Sequence, residues 1–264
     1  MPLVSVSVVV LSVAAAVRST WSPCGLSMLA SITPLSQGGR GHGYRATTIW
    51  FVVGGVLGGL TLGAVMAALA LGVGALSLTP TGVAGIALAL TLLSVASDAG
   101  VGGFHLPVHH RQVNERWLDQ YRPWVYGAGF GFQIGAGLAT YIRTAAVYLL
   151  IALGALSGDP GLALLAGGLF GLVRGNAVFL GRGIVSSATL SAFHRRFQQW
   201  GPVVRLVVIG VQAAVAEVLA GLVSPWAALV LALALLPLLA RQARQARQGH
   251  RATTAERPVA TIAT

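Results

Sequence analysis

Seven apolar runs, joined by connections that alternate between arginine-bearing and arginine-free, constrain this chain more than any other feature. A helix rises 1.5 Å per residue, so crossing ~30 Å of hydrocarbon takes roughly 20 residues. Runs of about that size or longer lie at residues 2–34, 47–76, 81–104, 124–156, 160–180, 200–223 and 225–240. Arg40 and Arg45 follow the first run, Arg111, Arg116 and Arg122 the third, and Arg182, Arg195, Arg196 and Arg205 the fifth. Arg241, Arg244, Arg247, Arg251 and Arg257 close the chain, and the second, fourth and sixth connections carry none. Because basic loops stay on the cytoplasmic side, this alternation predicts seven spans with the N-terminus outside and the C-terminus in the cytoplasm. Trp50, Trp124 and Trp200 fall at the expected cytoplasmic ends of their runs, where an indole keeps its N–H wet while burying its ring.

Composition agrees. With 55% hydrophobic and only 9% charged residues the chain has too little polar surface for a water-soluble globule, and no stretch outside the runs is long enough for a separate core. The fold class expected is therefore an all-α polytopic membrane protein, whose first partner is the lipid bilayer. All seventeen basic residues are arginine and the net charge is +11, but most of that charge sits in short connections rather than on one polar face. It orients the chain in the bilayer and gives no reason to expect nucleic acid. Abundant Ala, Gly and Arg without Lys fit a GC-rich bacterial genome, hence a bacterial cytoplasmic membrane. The stretch 2–17 also reads as a secretory leader, yet no positive charge precedes it and Arg18 follows it, so a span is the reading taken.

Two runs are longer than one span needs. The first is interrupted by Arg18 and by Ser22-Pro23-Cys24-Gly25, and is expected to be a broken helix. The fourth is equally long, rich in small residues, and runs the opposite way across the membrane. Together they suggest an inverted repeat within one transmembrane domain, residues 1–240. Three spans at 2–104 pair with three at 124–223, an extra helix lies at 225–240, and a basic cytoplasmic tail covers 241–264. That tail repeats Arg-Gln-Ala and should extend the last helix briefly along the anionic leaflet before becoming disordered. Folds with broken helices work where the breaks meet, here Ser22 to Ser27 facing roughly Gly135 to Thr144. The 35 glycines, including Gly54-Gly55 and Gly58-Gly59, read as close-packing signals between helices.

The segment Trp21-Ser22-Pro23-Cys24-Gly25-Leu26-Ser27-Met28-Leu29 resembles the Ser-Pro-Cys motif in the first helix of the CcdA and DsbD transmembrane domain, membrane electron carriers in the LysE-type transporter superfamily. Tyr126-Gly127-Ala128-Gly129-Phe130-Gly131-Phe132-Gln133-Ile134-Gly135 is similar to that family's Gly/Phe-rich approach to its second cysteine, and Trp200-Gly201-Pro202 to the start of its last span. The resemblance covers about residues 2–223 and implies the 3+3 fold. It also implies a second cysteine in the fourth span, around Leu138 to Thr140, and none stands there. A two-electron relay within one chain is therefore chemically impossible. What remains is either transport of a small solute or metal ion, or thiol–disulfide exchange, related to cytochrome c biogenesis, between Cys24 and a thiol-containing protein partner.

Cys24 lies near the positive end of any half-helix beginning at Pro23, and Met28 one turn on offers a thioether to a soft metal ion. It reads as readily as a small apolar packing residue. Polar residues inside spans are Asp98, Arg143, Arg174, Asn176 and Glu217, and an unpaired charge at mid-membrane costs roughly 2.5–3.5 kcal/mol. The expected substrate pathway takes in Pro23, Cys24, Met28, Arg143, Glu217, Asp98 and Arg174, with Arg143 and Glu217 beside Cys24, Arg174 snorkelling from the lower part of its helix and Asp98 near the cytoplasmic end of its own. A plain structural ion pair is the alternative. His105, His109 and His110, with Glu115 and Asp119, form a loose cluster that suits either metal delivery or a solvated loop. The same loop, 108–123, reads as an interfacial helix presenting Trp117, Leu118 and Tyr121. No phosphate-binding or hydrolytic constellation is present, no cofactor is evident, and a carrier is expected rather than an enzyme.

Overall fold

Proline marks where helices begin. Ser22-Pro23, Thr33-Pro34, Thr79-Pro80, Asp159-Pro160 and Ser224-Pro225 each put a cap residue before a proline whose missing N–H is no loss in a first turn. The Ser22 hydroxyl accepts from the Gly25 N–H, Thr79 from Gly82, Asp159 from Gly161 and Leu162, and Ser224 from Ala227. In a bilayer, where no water reaches the backbone, such caps decide where a chain can start a helix.

The computed structural model describes residues 2–107, 120–137, 142 and 144–255. Helix α1 is Pro2–Thr20, α2 Pro23–Ser31, α3 Pro34–Gly39, α4 Tyr44–Ala75 and α5 Pro80–Ala99. After a short 3-10 turn come α6 Pro123–Ala136, α7 Ala145–Leu156, α8 Pro160–Asn176, a second 3-10 segment, α9 Ser187–Val223 and α10 Pro225–Ala255. Helices α4, α5, α8 with its 3-10 extension, α9 and α10 are long and apolar enough to cross a membrane, and the α1–α2 pair, bent by 69°, makes a sixth span if counted as one. The expected fourth span exists as two pieces, α6 of 14 residues and α7 of 12, neither long enough alone.

Helix α4 is the centre of packing. Its paired glycines divide their work: a Cβ on Gly54 or Gly58 would strike the carbonyls of Ala128 and Phe132 in α6, and one on Gly59 the carbonyl of Gly167 in α8. Two backbone-on-backbone seams result. Residues of α1, α4, α7, α8 and α9 form the main apolar cluster, including Leu11, Met66, Leu150, Phe170 and Leu219. A second joins α2, α4 and α6 through Met28, Phe51, Tyr126 and Ile134, and a third joins α5, α9 and α10. Trp50 and Trp124 stand with ring centroids 5.9 Å apart, which puts the starts of α4 and α6 at one end of the molecule.

Two boundaries differ from expectation. Helix α9 begins thirteen residues before Trp200, because Ser186 and Thr189 form a reciprocal capping box. Helix α10 passes Ala240 and continues to Ala255; Gln242 and Ala246 are buried, and Gln242 Nε2 donates to the Ala99 carbonyl at 2.9 Å. The start of the basic tail is packed on the protein rather than lying free, since Gln242 and Ala246 are turned inward. Trp117 and Leu118, on the expected interfacial helix, lie outside the described residues.

Candidate functional site

Breaking a helix inside a membrane frees backbone donors and acceptors, and each break here has a charged side chain attending to it. At the start of α7, Thr144 Oγ1 donates to Asp98 Oδ2 at 2.5 Å and the Ala145 N–H donates to Oδ1 at 2.8 Å. Gln212 Nε2 of α9 donates to the same Oδ2 at 2.7 Å. Thr144 also caps the new helix by accepting from the Ala146 N–H. The carboxylate thus sits at the positive end of α7, where charge-assisted hydrogen bonds are strongest. Among the described residues no arginine side chain pairs with the Asp98 carboxylate; Arg205 Nε donates instead to its main-chain carbonyl at 2.9 Å.

At the other side of that interruption α6 ends at Gly137, whose φ of +71° and position against the Phe170 ring suit glycine. The Ile134 carbonyl, in the last turn, accepts both from the Gly137 N–H at 3.2 Å and from Arg174 Nη1. Arg174 is only 2% exposed and stacks over Phe170 at 5.5 Å, so it does not snorkel: it is held inside by its bond to a carbonyl in the last turn of α6. Its guanidinium also interacts electrostatically with Cys24. Cys24, buried and second in α2, therefore has Arg174 as its charged neighbour. Of the residues expected beside it, Arg143 lies outside the described residues, and Glu217 forms no hydrogen bond or ion pair among the described residues, its buried Oε1 included. Met28 is 5% exposed within the apolar cluster of Phe51 and Ile134 and serves packing.

His105 Nδ1 lies 3.2 Å from the Ser97 carbonyl, while His109 and His110 lie outside the described residues. Among the described residues no three metal-ligating side chains gather.

Two cavities lie beside these features. One cavity of about 600 Å³ is lined by Trp21, Ser22 and Pro23 at the first break, by Phe197 and Pro202 of α9, and by Gln242 of α10. A second of about 340 Å³ is lined by Asp98, His105, Thr144 and Tyr148 at the second break. Arg18 and Arg205 line both. Trp21 roofs the first break: its indole N–H donates to the Phe197 carbonyl at 2.7 Å and its ring stacks on Phe197 at 4.7 Å.

The sequence assigns Arg18 and Arg205 to interruption and topology, and no local signal marks them as lining both cavities. Gln37 is equally silent there: fully buried, it accepts from the Tyr126 hydroxyl and the Thr47 hydroxyl and ties α3, α4 and α6 together.

Fold and site define an all-α polytopic membrane protein with interrupted helices beside polar cavities. The chain is similar to methylamine utilization protein MauF of Paracoccus versutus, 29% identical over 173 residues, covering 59% of this chain and 57% of that protein. MauF of Methylorubrum extorquens is 31% identical over 162 residues, 59% of this chain and 55% of the relative. MauF of Methylobacillus flagellatus is 26% identical over 197 residues, 72% and 68%. The chain thus spans 57% of the first of these relatives' length. No family model and no solved structure matches it.

Proposed function

We propose that this chain is a bacterial cytoplasmic-membrane transporter of a small solute, built on a CcdA-like repeat of broken helices and serving methylamine utilization as its relatives' names state. One observation carries the reading: a cavity lies at each helix interruption, and both are walled by the ionic groups Arg18 and Arg205, which are costly inside a membrane. Half-helices attended by Asp98 and Arg174 provide fixed dipole ends inside the membrane, and the gap between them is where a solute would shed water.

Alternating access gives the test. Leu206, on the wall of the larger cavity, is changed to Cys in a Cys24→Ser background, and right-side-out and inside-out membrane vesicles are treated with a membrane-impermeant maleimide. A transporter exposes this wall to each side in turn and is labelled from both. Labelling from one side only overturns the transport reading.

A second reading is favoured by the Arg174–Cys24 neighbourhood. Here the Cys24 sulfur attacks a partner's disulfide, forming a mixed disulfide and releasing the partner's other sulfur as a thiolate; a further partner thiol then displaces Cys24. Nothing is oxidised or reduced overall, and a guanidinium nearby attracts the sulfur anion that enters and leaves. An acid-quenched, alkylated, non-reducing gel of native membranes tests it. A reductant-sensitive adduct absent in Cys24→Ser supports exchange, and a free thiol in every sample removes it.

A further inference from the structure

We infer that the path of the solute runs lengthwise inside a ring of four helices, α1, α5, α7 and α9, and that Leu11 and Leu149 are the gate that closes it halfway. The inference rests on the transport reading and adds to it the route and the point of closure.

The ring follows from which helices touch. Helix α1 packs on α9, α9 on α5, α5 on α7 and α7 on α1, while among the described residues neither diagonal pair, α1 with α5 or α7 with α9, makes a comparable interface. Each end of the ring holds a cavity. The space of about 340 Å³ is lined from all four helices, by Arg18, Asp98, Ala145 and Arg205. A third space, of about 410 Å³, is lined from the same four by Val4, Ala84, Leu153 and Leu219, and also by the turns 77–78 and 157–159. Those turns belong to the connections that carry no arginine, so the two cavities lie toward opposite faces of the membrane.

Their spacing puts both cavities on one axis. Val4 and Arg18, Ala84 and Asp98, and Arg205 and Leu219 are each fourteen residues apart, which in an α-helix returns to nearly the same face after about 21 Å. The residue midway shares that face: Leu11 in α1, Thr91 in α5 and Gln212 in α9, with Leu149 one turn from both Ala145 and Leu153 in α7. All four are buried, and this level of the ring is shut. Thr91 Oγ1 donates to the Ala87 carbonyl and Gln212 Nε2 to Asp98, each at 2.7 Å, so the two polar members are fixed by bonds. Leu11 and Leu149 are held by contact alone within the main apolar cluster, and an apolar constriction keeps water out until it widens.

The test uses the full chain in phospholipid vesicles loaded with radiolabelled glycine, and reads the rate at which label leaves. Leu11→Ala combined with Leu149→Ala should raise efflux about tenfold over the unsubstituted chain, since a lower barrier at the narrowest level enters the rate exponentially. Ile32→Ala combined with Ile134→Ala removes as much buried side chain from the cluster of α2, α4 and α6, outside the ring, and should leave efflux unchanged. Leu149→Asn keeps the volume and wets the gate, so it should leak as well, and it stands in where the double variant gives no folded peak.

Tight vesicles with a folded gate variant overturn the inference. So does equal leakage from the Ile32 and Ile134 variant, which would assign the leak to loosened packing anywhere in the chain. Labelling of Leu206→Cys from both membrane faces, with tight gate variants, leaves transport standing and sends the solute by another route. Labelling from one face, with leaking gate variants, keeps the ring and its gate and removes the transport reading.

Discussion

The hydroxyl of Thr144 donates to the carboxylate of Asp98 at 2.5 Å, joining the last turn of one transmembrane helix to the cap residue of a half-helix forty-six positions later. This bond, with those from Ala145 and Gln212, is how a helix can restart inside a membrane without water. Replacing Asp98 with Ala should cost about 2–3 kcal/mol, since three donors lose a charged acceptor at once, and Asp98→Asn should cost less. Thermal unfolding of the purified protein checks the order, and an unchanged midpoint in Asp98→Ala removes the role assigned to it.

Arg174 does the complementary work at the end of α6. Arg174→Ala removes the charged donor that the Ile134 carbonyl shares with the Gly137 N–H and empties a large buried volume, so a loss of about 3–5 kcal/mol is expected. Arg174→Met keeps most of the volume and should be markedly milder. Equal melting temperatures for the two variants would show that the hydrogen bond, and not packing, accounts for the loss.

Along α4 the prediction is positional. Gly58→Val forces a side chain into the Phe132 carbonyl and should abolish a monodisperse folded peak, whereas Gly72→Val, with nothing within 4 Å of its Cβ, should be tolerated. Folded yield by size-exclusion chromatography separates the two.

Removing everything after Ala240 deletes Gln242 and Ala246 from the surface they bury, and with them part of the larger cavity's wall. A tail that only fixed topology could be removed without effect on stability. A lowered melting temperature, reproduced in part by Gln242→Ala, is the outcome this packing requires.

Much of the architecture is legible in the sequence because bilayers impose simple rules. The apolar runs, the break at Ser22-Pro23 and the paired glycines of α4 each have a local signature, a length, a proline or a spacing, that survives without knowledge of neighbours. The site is legible only in part. Asp98 and Arg174 stand out as charges in apolar runs, but their partners are backbone groups that exist only once a distant helix has been interrupted, so Arg174 looks in sequence like an arginine bound for the interface. Arg18 and Arg205 are harder still: each has an adequate reading as a topological charge, and only the approach of α1 to α9 brings them to the same cavities. Gln242, in a segment that looks like tail, is hidden for the same reason.

The glycine seams of α4 have a mechanical consequence. Side chains let a contact slide by changing rotamer, but main chain pressed on main chain has no such play, so α4, α6 and α8 should behave as a single stiff slab. Movement is left to the elements with side-chain interfaces, α1, α5, α9 and α10. A molecule built this way should work as a stator and a moving jaw, with Arg18 and Arg205 on the jaw.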